Sequence, residues 1–237
     1  PRRQEPAETQ RAPGALPEGG YSVGVDSGTY VERLVVPSHV RVIGSGADVT
    51  AIDANNLGSV VTLDAVTDAE VSGFTLRNAS AAGAGVEVRN SASGITIARN
   101  IIRNNASDAV RLSGSSSGVV VFNTIVNNAG SGVYITEAGT WVEVKNSILD
   151  GNTYGLRRSA TASLLRNDYN LVRNTVNYSN VTAGAHNLTG DPLFAAGDRY
   201  YLTASSPAID AADPLAGVPA GGGVRADLGY KELTASP

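Results

Sequence analysis

The chain has no cysteine and no methionine among its 237 residues. Without cysteine there is neither a disulfide framework nor a thiolate metal site, and the redox compartment leaves no trace. Charge is also scarce: Asp, Glu, Lys and Arg together make 17%, the formal net charge is −4 and the pI is near 5.2. The cations are mostly scattered arginines, with only Lys145 and Lys231 as lysines, so no basic footprint exists for nucleic acid. No run approaches the roughly 18 apolar residues that mark a membrane-spanning helix, and no charged-then-apolar leader opens the chain. The missing methionine and a start at Pro1 fit a mature chain whose signal peptide is already removed, which predicts an extracellular or cell-surface location. Histidine is limited to His39 and His186, too far apart in sequence to suggest a pair or zinc-ligand spacing.

Against these absences stand 42% hydrophobic residues and 27 glycines, enough apolar surface for one elongated core. A four-residue unit of Gly or Ala, aliphatic, polar, aliphatic recurs as Gly85-Val86-Glu87-Val88, Ala109-Val110-Arg111-Leu112, Gly132-Val133-Tyr134-Ile135 and Gly155-Leu156-Arg157-Arg158. Val86, Val110, Val133 and Leu156 are separated by 24, 23 and 23 positions, and Val61-Thr62-Leu63 supplies an earlier copy. A second alternating segment rides on the same period: Ile95-Thr96-Ile97, Val119-Val120-Val121 and Val142-Glu143-Val144, leading to Asn100, Asn123 and Asn146.

Leucine-rich repeats have a similar period but require a Leu consensus and a helical or 3₁₀ return limb. Here Val and Ile alternate with polar residues and are interrupted by Gly, Asn and Ser, which predicts strands. The reading is all-β: a parallel β-helix, a solenoid with coils of about 23 residues stacked about 4.8 Å apart. The recurring asparagines are expected to form amide ladders at the bends. Residues 1–20 are rich in proline and charge and read as an extended arm or linker, for which a neighbouring subunit is one candidate seat. Residues 21–209 read as the β-helix and 210–237 as a cap or tail, with the Gly- and Pro-rich stretch Asp210 to Ala226 running back along the outside.

The stretch from Tyr21 to Asp53, YSVGVDSGTYVERLVVPSHVRVIGSGADVTAID, resembles the opening of right-handed β-helix proteins of the pectin-lyase-like superfamily. Asp168-Tyr169-Asn170-Leu171, Asp191-Pro192-Leu193-Phe194, Ser206-Pro207-Ala208-Ile209-Asp210 and Ala226-Asp227-Leu228-Gly229-Tyr230 resemble the closing segment of bacterial secreted or surface-attached β-helix repeat proteins. The resemblance implies a right-handed parallel β-helix and an extracellular setting. It leaves activity open, because that superfamily includes lyases, hydrolases, esterases, epimerases, adhesins and phage fibres.

Outward side chains of a β-helix stack like inward ones, so a site should show as a ladder on one face. The polar slot of the repeat presents Thr62, Glu87, Arg111, Tyr134 and Arg157; two residues on come Asp64, Arg89, Ser113 and Thr136, with Asp108 and Tyr154 at the edge. Cross-strand ion pairing of Glu87 with Arg111 and of Asp64 with Arg89 is one reading. The other is a glycan groove built from Glu87, Arg89, Asp108, Arg111, Tyr134 and Arg157, where guanidinium groups meet carboxylates or hydroxyls and the tyrosine ring faces a sugar. No adjacent Asp-Asp pair, Gly-His-Gly or Asp-Pro-His-Asp motif suggests a catalytic set, and Lys145 is placed to pair with Glu143. No cofactor is called for; calcium, the one candidate, would have to use Asp64 with Asp68, or Asp191, Asp198 and Asp210. These readings favour a non-catalytic extracellular structural or adhesive protein, assembling head to tail with copies of itself into a filament or binding surface polysaccharide. The alternative is a polysaccharide lyase or epimerase acting on an acidic polysaccharide.

Overall fold

The computed structural model describes residues 20–159, 163–197, 199–219 and 221–233. The expected arm and its seat on a neighbour fall on residues 1–20, of which 1–19 lie outside the described residues, as do 234–237 of the tail. Each coil contributes three strands. The first holds β1 (Tyr21–Val25), β2 (Gly28–Val31) and β3 (Leu34–Val35), the second β4 (Val40–Gly44), β5 (Thr50–Asp53) and β6 (Val61–Asp64). The third holds β7 (Glu70–Ser72), β8 (Thr75–Arg77) and β9 (Val86–Arg89), the fourth β10 (Ile95–Ala98), β11 (Ile101–Arg103) and β12 (Val110–Leu112). The fifth holds β13 (Ser117–Val121), β14 (Thr124–Val126) and β15 (Ser131–Ile135), the sixth β16 (Trp141–Lys145), β17 (Ile148–Asp150) and β18 (Tyr154–Arg158). The seventh ends the series with β19 (Leu164–Asp168), β20 (Leu171–Arg173) and β21 (Val176–Ser179). First, second and third strands line up as three seven-stranded parallel sheets, here sheets A, B and C. No helix occurs among the described residues.

The alternation read from sequence becomes columns of buried side chains. Val42, Val71, Ile97, Val120 and Val144 follow one another in sheet A, Ile52, Leu76, Ile102, Ile125, Leu149 and Val172 in sheet B, and Val61, Val86, Val110, Val133 and Leu156 in sheet C. All are buried, and each contributes about 1.5–3 kcal/mol of hydrophobic burial. The glycine that opens the repeat has a steric cause: a Cβ on Gly85 would sit 2.6 Å from the Ala109 carbonyl oxygen of the next coil.

Two ladders hold the bends. Between sheets B and C, Asn105 donates to Asn128 at 2.9 Å, Asn128 to Asn152 at 2.9 Å and Asn152 to Asn174 at 2.8 Å, all through side-chain amides. Between sheets A and B, Asn100 donates to Asn123 at 3.2 Å, but the next rung is Ser147, whose hydroxyl accepts from the Asn123 backbone N–H at 3.1 Å. This corrects the equivalence of Asn123 with Asn146. Val120 pairs with Val144, a step of 24 and not 23, so the rung falls one residue later. Asn146 takes the left-handed position at φ 53°, which Arg99 and Phe122 take in the coils before it, and its side chain accepts from the Asp213 N–H at 2.8 Å.

The strands stop at Ser179, ahead of the expected boundary at 209. Residues 182–188 fold over the far end: the Gly184 N–H donates to the Asn167 side chain, and Leu188 bridges to Leu171. The chain then returns along the outer face of sheet B, so the return begins before Asp210. Ile148 and Leu171 pack there against Leu202, Ala208 and Leu228, and Ile101 against Tyr230. At the other end of this strap Lys231 and the Tyr201 hydroxyl both donate to Asp48, at 2.7 and 2.6 Å.

Candidate functional site

The outer face of sheet C carries the polar slots in the expected order. Register places Thr62 beside Glu87, Glu87 beside Arg111, Arg111 beside Tyr134 and Tyr134 beside Arg157. Asp64 stands beside Arg89 in the second row. Alternating parity along each strand places these side chains outward while their neighbours fill the core.

At the early end the face is a network of paired charges. Arg89 meets Asp64 at 2.9 Å and Glu87 at 3.6 Å; Arg111 meets Asp108 at 2.9 Å and Glu87 at 3.9 Å. Two residues that sequence reasoning did not assign complete it: Ser59 donates to Glu87 at 2.9 Å, and Arg111 donates to the Ser107 hydroxyl at 2.7 Å. Hydrogen bonds from Asn90 and Arg89 outweigh the slight cost of desolvation and hold the Asp64 carboxyl below its ordinary value. Asp108 is 9% exposed at its side chain and also accepts the Ser131 N–H at 2.8 Å, so it positions Arg111 and does not itself face a ligand. The more exposed of these pairs, Arg89 with Asp64, adds little to stability, and together the pairs fix the geometry of the guanidinium groups.

The late end is different in kind. The Arg157 guanidinium lies 4.6 Å from the Tyr134 ring centroid and 4.6 Å from that of Tyr154. The arginine's register neighbours are Tyr134 and Ser179, with no carboxylate beside it in the row. Cation–π contact attracts the guanidinium to both rings.

The remaining candidates lie elsewhere. Lys145 meets Glu143 at 3.7 Å and Asp213 of the returning chain at 3.2 Å. His186, which has no histidine partner, is held by Asp168 at 2.9 Å and stacks on Tyr169 at 4.4 Å. Burial raises the Asp168 pKa, but the hydrogen bonds from His186 outweigh it and the net shift is downward. The signal missed was Asp168-Tyr169 at the left-handed bend, where the ladder meets the folded-over end. Of the carboxylates considered for calcium, Asp64 is taken by Arg89, Asp68 faces His39 at 3.7 Å, Asp191 is taken by Arg173 at 2.8 Å and Asp210 accepts the Arg225 N–H. Asp198 lies outside the described residues. Among the described residues no three metal-ligating side chains converge, and no helix is long and apolar enough to cross a membrane.

The family described as right handed beta helix region matches residues 39–192. Among solved structures, the pectin methylesterase from Yersinia enterocolitica is similar over 65% of this chain and 61% of its own, at 14% identity and a TM-score of 0.37. The pectin methylesterase PemA from Erwinia chrysanthemi is similar over 63% and 60%, at 10% identity and a TM-score of 0.29. The chain therefore spans about three fifths of the length of these structures. No curated protein matches it.

Proposed function

The chain belongs to the right-handed beta helix family, and from that premise we propose that it is an extracellular protein that binds an acidic polysaccharide along the outer face of sheet C without cleaving it. One observation carries the reading: Arg157 is held between two tyrosine rings at the end of a face whose carboxylates are already engaged. A lyase or epimerase needs a group free to take a proton from the sugar, with a pKa near the working pH. On this face hydrogen bonds from Asn90 and Arg89 lower the basicity of Asp64, Glu87 and Asp108 are spent on arginines and a serine, Tyr134 and Tyr154 lie against Arg157, and neither lysine nor histidine is present. What it offers is a guanidinium beside two aromatic rings and the half-exposed Arg89, which suits recognition of carboxylates and sugar rings.

Titration calorimetry with polygalacturonate and alginate tests this. Binding should weaken at least tenfold in Arg157→Ala, as expected when a charged contact worth about 1.4 kcal/mol or more is removed. Equal affinity in the variant would remove the site. Appearance of unsaturated uronate ends in the same mixtures would replace binding by lyase activity.

Self-assembly has its own observation in favour. In the first coil Tyr21 and Val23 occupy the inward rows of sheet A yet are 48% and 49% exposed, and among the described residues β1 to β3 have strand partners on one side only. Unpaired edges of this sort template pairing. Since residues 182–188 cover the far end at sheets A and B, a contact between two first coils fits better than the head-to-tail stacking expected from sequence. Light scattering of the full chain decides it: a single-chain mass across a concentration series removes self-assembly.

A further inference from the structure

Residues 182–188 roof the last coil through contacts of two kinds. The Gly184 N–H donates to the Asn167 side chain at 2.9 Å, the Leu188 N–H to the Asn170 carbonyl at 2.7 Å and the Asn187 amide to the Tyr178 hydroxyl at 3.0 Å. None of these groups changes charge between about pH 5 and 8: the amides do not titrate, and burial raises the Tyr178 pKa above its ordinary value. The remaining tie is made by His186, the side-chain type whose charge does change in that range. Its Nδ1 lies 2.9 Å from one oxygen of Asp168, its backbone N–H donates to the other at 2.8 Å, and its ring lies flat on Tyr169, 4.4 Å between centroids and 4° between planes. Burial raises the Asp168 pKa, but the hydrogen bonds from His186 outweigh it, so this partner is ionised throughout. The other charges packed here are already answered. Lys145, the register neighbour of Asp168, meets Asp213 of the strap at 3.2 Å and Glu143 at 3.7 Å, and the hydrogen bond to Asp213 keeps it charged. Arg225 of the strap lies 5.7 Å from the Tyr169 ring centroid and donates to the Ala212 carbonyl.

We propose that the Asp168–His186 pair is a pH-sensitive latch, which holds residues 182–188 over the last coil while the imidazole is protonated and loosens them as it loses its proton. With the proton the contact joins opposite charges; without it the same carboxylate meets a neutral ring, a weaker partner. The closed roof thus offers the imidazolium a carboxylate that the open roof withdraws, so proton uptake favours closure and rising pH favours opening. Opening bares the Asn170 carbonyl and the Val172 N–H, which Leu188 engages in the closed roof. Both lie at the edge of β20, and such edges are where further strands pair. The latch stands apart from the polysaccharide reading, since it uses neither the Arg157 face nor any ligand.

Hydrogen exchange of the full chain at about pH 5.5 and about pH 8 tests it, on either side of the range in which imidazole titrates. Rates are corrected for the intrinsic pH dependence of exchange, and the amides of β11 and β14 serve as the internal reference. Protection of the Gly184 and Leu188 amides should fall about threefold or more from the lower pH to the higher, the scale of a half-exposed ion pair. His186→Gln should show at both pH values the protection that the unaltered chain has at the higher one. Asp168→Asn, which keeps an oxygen for the backbone N–H and removes only the charge, should flatten the dependence too and guards against a folding defect in the first variant. His39→Gln should leave it intact, because His39 faces Asp68 in the early coils, away from the roof. Equal protection of the unaltered chain at the two pH values, or a pH dependence that survives in His186→Gln or Asp168→Asn, overturns the latch.

Discussion

Asn128 is 2% exposed and engages four neighbours at once. Its amide donates to Asn152 at 2.9 Å, to the Ile102 carbonyl at 3.0 Å and to the Val126 carbonyl at 3.1 Å, while its oxygen accepts from the backbone and side chain of Asn105. Removing it leaves donors and acceptors on both adjacent coils unmet in a place water cannot reach. Each such group costs about 1–3 kcal/mol. Asn128→Ala should therefore destabilise the chain by about 3 kcal/mol or more in chemical denaturation, with the ladder acting as a unit. Asn104 sits one residue before a ladder asparagine, in the left-handed bend and exposed. Its replacement by Asp, which tolerates the same backbone, should cost under about 0.5 kcal/mol. Equal losses in the two variants would deny the ladder its role.

At the scale of elements, sheet B needs a cover. β14 and β17 are buried at every position, so this part of the sheet is covered on both faces, and the strap supplies the second layer over Ile148. Asp48 ties its far end down through Lys231 and Tyr201. Burial alone would raise the Asp48 pKa; the hydrogen bonds from Lys231 and Tyr201 reverse this and set it below the ordinary 3.8. A carboxylate with a depressed folded-state pKa stabilises the fold above its unfolded value, and that contribution is lost as the pH falls through the folded value. The stability gap between the native chain and Asp48→Asn should thus be widest near neutral pH and shrink from about pH 5 downward. A gap independent of pH, measured by urea denaturation across this range, would show that the Asp48 charge does not anchor the strap.

At the scale of the whole molecule, the two ends of the coil series are unequal among the described residues. β1 is exposed at four of its five positions, whereas the middle coils are buried above and below. The far end is roofed by residues 182–188 over sheets A and B. Hydrogen exchange should follow this gradient, with amides of β1 and β2 exchanging at least tenfold faster than those of β11 and β14, because a coil with one neighbour opens more readily than one with two. Uniform protection along the series would indicate a covered first coil.

The period near 23, the Val and Ile alternation and the Asn-marked bends determined the solenoid by themselves. In a strand the face of every side chain follows from parity, so the stacking of Glu87, Arg111, Tyr134 and Arg157 was legible residue by residue. The pairing of Asp64 with Arg89 was legible for the same reason. Parity could not locate the one extra residue between β13 and β16 that makes Ser147 the rung, because Asn123 and Asn146 preserve the period in the letters while the hydrogen bonds shift by one. The double aliphatic Ile148-Leu149 puts one apolar side chain on each face of β17, but nothing in the letters says what covers the outer one. Tertiary structure alone decided that, by folding back a segment that brings Lys231 to Asp48, 183 positions away. Contacts within the coils repeat because the backbone period repeats; those of the strap are made once, through side chains at unrelated places in the chain, and no periodicity records them.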